Sequence, residues 1–213
     1  MQGWTLTKDI FQILSNIASI VLIGGLFQGI YQVKLLKKDL NDRNRRSAAE
    51  KSMEYLAYFE KEIITSTSEY EQKLKEEIKD PADDNHLFNE DFKINPDHLS
   101  KEMIADSIVK QRLGIVTILN QLEFYSAVIE SRITDEDLLY TPSAMVFCDF
   151  VKSNHLWISI LRAQGIPYKN LVSLYKKWSK RLEVEKLQLQ MLETAHKIKQ
   201  QGKDYGSLPP IGL

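Results

Sequence analysis

The chain has 213 residues, and residues 47–213 alone are long enough for one domain. These residues carry a net charge of −5, which argues against a general nucleic-acid-binding protein. The only cysteine, Cys148, excludes a disulfide framework and a cysteine-based zinc site, and we expect it to be a small core residue.

A run without charged side chains spans residues 10–33. As a helix, its 24 residues would be about 36 Å long, enough to cross a hydrocarbon core of about 30 Å. Six basic and only two acidic residues follow it, and this asymmetry predicts an N-terminus outside and a cytoplasmic C-terminus. We expect the basic residues to contact lipid headgroups; they are Lys34, Lys37, Lys38, Arg43, Arg45 and Arg46.

Two other structures would account for the same run. A cleaved signal peptide would have a shorter apolar segment, with basic residues before it and a small-residue cleavage site after it. A buried core helix would accommodate the polar residues that dilute the run, but the glycines at positions 24, 25 and 29 would weaken a soluble helix. We therefore favour a transmembrane helix.

The polar and small residues of this run predict association within the membrane. Asn16 and Ser19 lie deep in the predicted span, where polar side chains usually face other helices or water. Gly25 and Gly29 form a small-xxx-small pair that allows close helix packing. The sequence thus predicts a homo-oligomer or a membrane-protein partner. There are two alternatives. The polar residues could line a pore, or side-chain amides near the helix ends could reach the membrane–water interface without any partner.

The predicted fold is all-α, with one N-terminal transmembrane helix followed by a cytoplasmic bundle of long helices. No segment shows the sustained alternation of a strand. We predict an N-terminal flank with the transmembrane helix, a basic juxtamembrane and long amphipathic helix, an acidic linker, a helical domain and a flexible tail. Their respective bounds are residues 1–33, 34–79, 80–97, 98–202 and 203–213.

Patterns within the bundle predict its individual helices. A second helix is expected from Asn95–Pro96 to about Arg132, and a short helix after a capping box at Thr134. Pro142 is expected to start a third helix, and a last helix should cover residues 168–201. The first helix has heptad spacing, which predicts either a parallel coiled coil or packing on its own domain; the positions are Ala49, Met53, Leu56, Glu60, Ile63, Thr67, Tyr70, Leu74 and Glu77.

No catalytic, phosphate-binding or metal-binding motif stands out, and the four histidines are scattered. Four polar residues lie at the edge of the apolar faces of the second and third helices: Arg112, Asn120, Glu123 and Arg162. Because an unpaired buried charge is costly, we predict that Glu123 meets Arg162 or Arg112. We interpret the set as a structural polar network that fixes helix register; a ligand site and catalysis are the alternatives.

The sequence around these residues resembles that of a bacterial family known as domain of unknown function 4760. The motifs are Arg112-x7-Asn120-x2-Glu123, Ile129-x3-Ile133-x-Asp135, Arg162 and Tyr175-x2-Trp178. The resemblance covers roughly residues 112–178 and implies a membrane helix, a charged juxtamembrane helix and a small helical domain in the bacterial inner membrane. It implies no activity, although similar proteins often look like accessory components of defence or mobile-element loci.

We therefore expect a non-enzymatic, single-pass inner-membrane protein whose cytoplasmic domain is an interaction or sensing module, with phage defence as its context. An oligomeric membrane-disrupting or channel-forming effector is the alternative, and an enzyme that uses the Arg112 set is a third hypothesis. The predicted partners are membrane lipids and another membrane chain. We predict no cofactor, metal, nucleic acid or small-molecule substrate.

Overall fold

The computed structural model describes residues 31–201, and the chain divides into two compact units, Met1–Ala48 and Ala49–Leu213. In the first unit, the described residues 31–48 are helical and are named α1. No helix within residues 31–201 is long and apolar enough to cross a membrane. Most of the predicted transmembrane helix lies outside the described residues.

The second unit begins with helix α2, which contains a π-helical segment. Its three parts are residues 49–58, the π-helix Phe59–Ile64 and the α-helix Thr65–Glu77. A π-helical turn accommodates extra residues within a helix, so it rotates the buried face relative to a strict heptad. This insertion explains why the predicted heptad fails at Met53 and Glu60 but matches the buried residues from Ile63 to Tyr70.

After the π-segment begins, the buried residues Ile63, Thr67 and Tyr70 follow the predicted spacing. In the N-terminal part of α2, up to Glu60, the heptad positions Met53 and Glu60 are exposed, whereas Ala49 and Leu56 are half-buried. The side chains buried there instead are Ser52 and Phe59.

The acidic segment after α2 packs onto the bundle. It contains two short 3₁₀ turns, Asn85–Leu87 and Pro96–His98. Phe92 is fully buried, and its ring meets the ring of Tyr175 nearly perpendicularly at a centroid distance of 5.3 Å. This segment therefore contributes to the core, which its acidic composition did not suggest.

The predicted second helix is in fact two helices. α3, Lys101–Arg112, begins after Ser100, whose hydroxyl accepts a hydrogen bond from the Met103 amide at 3.2 Å. α4 covers Ile115–Glu130. Gly114 between them has a φ of +88°, a left-handed conformation that glycine adopts without steric cost. The predicted single helix was wrong because glycine permits this break and Ser100 supplies a side-chain cap.

The next helices are also divided differently from the prediction. α5, Glu136–Ser153, is capped by Asp135, whose carboxylate accepts a hydrogen bond from the Asp137 amide at 3.1 Å. Pro142 lies inside α5 instead of starting a helix. Burial of Tyr140 and Ala144, two residues away on either side, stabilises the helix although proline cannot donate a backbone hydrogen bond. The capping box predicted at Thr134 and the helix start predicted at Pro142 were therefore wrong.

α6, His155–Ala163, follows α5 after Asn154, and α7 covers Lys169–Gln201. α7 packs along α4 and α5, while α2 packs against α3 and α4. The core lies between these helices and includes Tyr125, Phe147 and Trp178, which are fully buried. Residues 31–201 contain no strand. The all-α prediction is confirmed for them, and the arrangement is a helical bundle.

Candidate functional site

The predicted polar network is centred on Glu123, but its partners are not arginines. One carboxylate oxygen of Glu123 accepts hydrogen bonds from the backbone amide of Asn170 at 3.2 Å and from its side-chain amide at 2.8 Å. The other oxygen accepts from the Leu171 amide at 2.8 Å. Asn120 lies nearly one turn earlier on α4 and accepts from the Tyr168 hydroxyl at 3.0 Å. Both residues thus hold the start of α7.

The prediction that Glu123 meets Arg162 or Arg112 was wrong. The break at Gly114 separates Arg112 from the helix that carries Glu123, and Arg112 pairs with Glu77 at the end of α2. Arg162 donates to the Pro167 carbonyl in the turn between α6 and α7. The backbone amides at the start of α7 donate hydrogen bonds to the carboxylate instead, because a helix N-terminus has free amide groups and attracts negative charge.

The predicted membrane and lipid contacts lie in the N-terminal unit. Asn16, Ser19, Gly25 and Gly29 are outside the described residues. The basic residues predicted to contact headgroups are all exposed on α1, and one of them, Arg43, pairs with Asp39 at 3.0 Å; they are Lys34, Lys37, Lys38, Arg43, Arg45 and Arg46.

A cavity of about 500 Å³ opens in the second unit, between the end of α2, the segment after it, α3 and the start of α6. Volumes of 300–1,000 Å³ are typical of small-molecule sites. Its wall is apolar over much of its extent, with charged groups at a few points. The apolar lining residues are Leu74, Ile78, Pro81, Met103, Leu156 and Trp157.

Two hydrogen-bond donors in this cavity lack hydrogen-bond and ion-pair partners among residues 31–201. The indole nitrogen of Trp157 is buried and has no hydrogen-bond acceptor among residues 31–201. Lys110 is half-buried and forms no ion pair within 4 Å in the described part of the chain. Burial lowers the pKa of the Lys110 ammonium, and the charges of Asp84 and Asp106 only partly offset this effect.

Carboxylates supply the acceptors of the cavity. Asp106 accepts a hydrogen bond from the Ala82 amide at 2.9 Å. Asp84 lies 3.4 Å from Nε2 of the buried His155, too far for a well-formed hydrogen bond but close enough for electrostatic attraction. Burial favours a higher pKa for the Asp84 carboxyl, but contact with His155 and the charge of Lys110 outweigh it, and the pKa is lowered.

This arrangement suits binding better than catalysis. Donors that lack partners within residues 31–201, nearby carboxylates and apolar walls fit a small molecule that has an apolar body and both donors and acceptors. No group of three or more histidine, cysteine or acidic side chains within residues 31–201 is placed to hold a metal. Cys148 is a buried core residue, and burial raises the pKa of its thiol to about 12, so it is a poor nucleophile.

Comparison with known proteins identifies the family. Residues 19–178 match a family described as a domain of unknown function, DUF4760. The chain belongs to this family. The match covers about three-quarters of the DUF4760 chain and includes α1 to α6 and the buried part of α7. No curated protein and no solved structure matches it.

The cavity of this DUF4760 protein was not predicted from its sequence. Its lining comes from three stretches that are distant in the sequence, residues 74–85, 103–110 and 153–157, and none of them contains a recognisable binding motif. The available signals were local ones, namely a tryptophan and a histidine at the start of α6 and a lysine near the apolar side of α3. Such residues are common in ordinary helices, so they gave no reason to place a site there.

Replacing Lys110 by methionine is expected to stabilise the bundle. The half-buried ammonium loses hydration without gaining an ion pair, whereas methionine keeps the apolar stem. We expect the free energy of unfolding to rise by about 1 kcal/mol, or the Tm by about 2–4 °C. Thermal unfolding of the full chain in mild detergent measures this change.

Lys75→Met is the matched control, because Lys75 lines the same cavity but is exposed. Its effect should stay within about 0.5 kcal/mol. A loss of stability in Lys110→Met would mean that Lys110 supports the fold, and it would remove the main reason to regard the cavity as a binding site.

Proposed function

We propose that this DUF4760 chain is a single-pass bacterial inner-membrane protein whose cytoplasmic bundle is a non-catalytic interaction and sensing module. The main support for the proposal is the abrupt change at Lys34 from an uncharged to a basic sequence. Residues 10–33 are uncharged, and residues 34–46 carry a net charge of +4. This is the pattern of a membrane span with its basic flank on the cytoplasmic side.

The exposure of α1 supports contact with lipid headgroups. At about 100° per residue, Lys34, Lys37, Lys38 and Arg45 share one face of this helix. Their side chains are exposed, and none of them has an ion pair within residues 31–201. Each basic residue near an anionic surface contributes about 1 kcal/mol of attraction.

The placement of the polar residues supports a role other than catalysis. Both carboxylate oxygens of Glu123 are engaged by the start of α7, and Asn120 binds Tyr168. A general base must be free to reach a substrate, whereas Glu123 serves the fold. The cavity beside Lys110 and Trp157 is where we place the sensing function. Phage defence is the context that the family resemblance implies.

Single-cysteine labelling tests the proposed topology. In a Cys148→Ser background, Gln2→Cys should react with a membrane-impermeant maleimide on intact spheroplasts. Gln200→Cys should react only after permeabilisation, because α7 belongs to the proposed cytoplasmic domain. Labelling of Gln200→Cys in intact cells, or recovery of the full chain without membranes, would overturn the assignment.

Recovery of partners from cross-linked cells tests the interaction role. The full chain should retain proteins that a version ending at residue 79 does not, because the truncation keeps the predicted anchor and removes α3 to α7. Equal recovery by both versions would assign recruitment to the anchor and would refute a function for the bundle as an interaction module.

A further inference from the structure

The C-terminal half of α7 leaves the bundle and exposes apolar side chains. Leu182 is the last half-buried apolar residue of the helix, and every residue from 186 to 200 is exposed. Leu187, Met191 and Ile198 are 53%, 72% and 65% exposed. A helix that exposes large apolar side chains at regular spacing usually has a partner.

These residues form one stripe with an internal symmetry. At about 100° per residue, the stripe stays within about 80° of the helix circumference. Its successive spacings are three, four, four and three residues. The order of these spacings is the same in both directions along the helix, with Met191 at the centre. We name it the Met191 stripe; its members are Val184, Leu187, Met191, Ala195 and Ile198.

We propose that two copies of the chain associate through their Met191 stripes, antiparallel and with a two-fold axis at Met191. In this arrangement Met191 meets Met191 of the second copy. Val184 lies opposite Ile198 of the second copy, and Leu187 lies opposite Ala195. Each of these pairs then joins an apolar side chain of one copy to an apolar side chain of the other. The surface goes beyond the proposed function and does not depend on the predicted membrane helix.

Charge complementarity selects the antiparallel orientation. Glu183 and Glu185 outnumber Lys186 at one end of the stripe, whereas Lys197 and Lys199 make the other end basic. An antiparallel pair brings the acidic end of each copy to the basic end of the other, whereas a parallel pair brings like charges together. Antiparallel helix dipoles also attract.

Glu183 and Lys197 are the best placed pair. On the helical wheel they lie on the same side of the stripe, so Glu183 of one copy can reach Lys197 of the other. Neither has an ion pair among residues 31–201. Glu185, by contrast, already accepts hydrogen bonds from Tyr140 and Arg181.

A second apolar stripe on the opposite face is a poorer candidate. It contains Leu189 and Leu192, which are also exposed. Its neighbouring positions are Glu185 and His196, so each copy would contribute only two apolar positions, both leucines, to an antiparallel pair about its centre. The Met191 stripe offers five, and more apolar area is removed from water.

The size of the contact predicts a weak dimer. The stripe is about 21 Å long at 1.5 Å per residue. A single pair of helices of this length buries less than the roughly 1,000 Å² that a stable interface needs. We therefore expect reversible association, which a covalent trap detects better than a mass measurement.

Disulfide trapping tests the proposal on the full chain in mild detergent. In a Cys148→Ser background, Met191→Cys lies on the two-fold axis, where helices 8–10 Å apart bring the two Cα atoms within disulfide range. Leu192→Cys is the matched control, since it is adjacent and similarly exposed but faces away from the stripe. Under mild oxidation we expect roughly five-fold more linked dimer from Met191→Cys.

Charge exchange provides a second measurement. Glu183→Lys and Lys197→Glu should each reduce trapping through Met191→Cys, and the double exchange should restore it. Equal or absent trapping at positions 191 and 192 would overturn the proposal. Stronger trapping through Leu192→Cys would assign the contact to the other stripe and would also overturn it. The topology experiment is unaffected by either result.

Discussion

Replacing Glu123 by glutamine is expected to lower the free energy of unfolding by about 2–3 kcal/mol. The carboxylate accepts three hydrogen bonds from Asn170 and Leu171, two of them from backbone amides at the start of α7. A glutamine side chain has one oxygen, so its amide group would face a donor. At least one buried backbone amide then loses its acceptor, and the negative charge at the helix N-terminus is lost.

The conformation of the preceding turn adds to this effect. Gly165 and Tyr168 have φ values of +96° and +39°. The left-handed region is unfavourable for a large side chain such as tyrosine, so surrounding contacts must hold it there. Asn120 and Glu123 supply such contacts to Tyr168 and Leu171, at the end of the turn where α7 begins. Loss of Glu123 should therefore release the turn as well as the hydrogen bonds.

Urea denaturation of the detergent-solubilised chain, followed by circular dichroism, measures the change. Glu193→Gln makes the same chemical change at an exposed position of α7 and should leave the stability within about 0.5 kcal/mol of the native value. If Glu123→Gln were equally mild, the start of α7 would not depend on the carboxylate, and the structural interpretation of the polar network would be wrong.

Local signals gave much of the helical fold. The turn around Gly165 and Pro167 placed the start of the last helix one residue before its observed start, Lys169. The heptad-spaced apolar residues after this turn include Leu171, Tyr175 and Trp178, which are buried, whereas Leu189 and Leu192 at the same spacing are exposed. These predictions succeeded because turn residues and helical periodicity depend on neighbours close in the sequence.

The errors arose where distant parts of the chain decide the outcome. A heptad pattern contains no sign of the π-helical segment at Phe59–Ile64, which rotates the buried face of α2. The prediction for Glu123 compared residues on one helical wheel. It missed free backbone amides that lie 47 and 48 residues further along the chain. The cavity was missed for the same reason, since three distant stretches of the chain form it.

Replacing Trp178 by alanine is expected to have the largest effect, a loss of about 3–5 kcal/mol. The side chain is fully buried, and its ring meets those of Tyr140 and Phe147 at centroid distances of 5.6 and 5.4 Å. Its indole nitrogen donates to Glu136 at 3.0 Å. The substitution thus leaves a large cavity, removes two aromatic contacts and leaves a carboxylate oxygen without that donor.

Trp178→Phe keeps the fold measurable if the alanine variant does not fold. It retains a ring but removes the indole donor and part of the volume, so we expect a loss of about 1–3 kcal/mol. Trp157→Phe is the matched control, because the indole nitrogen of Trp157 has no acceptor within residues 31–201 and phenylalanine removes no hydrogen bond there. If both phenylalanine variants lost the same stability, volume alone would account for Trp178. A larger loss at Trp178 would show that its bond to Glu136 attaches α7 to α5, which fixes the point from which the exposed part of α7 extends.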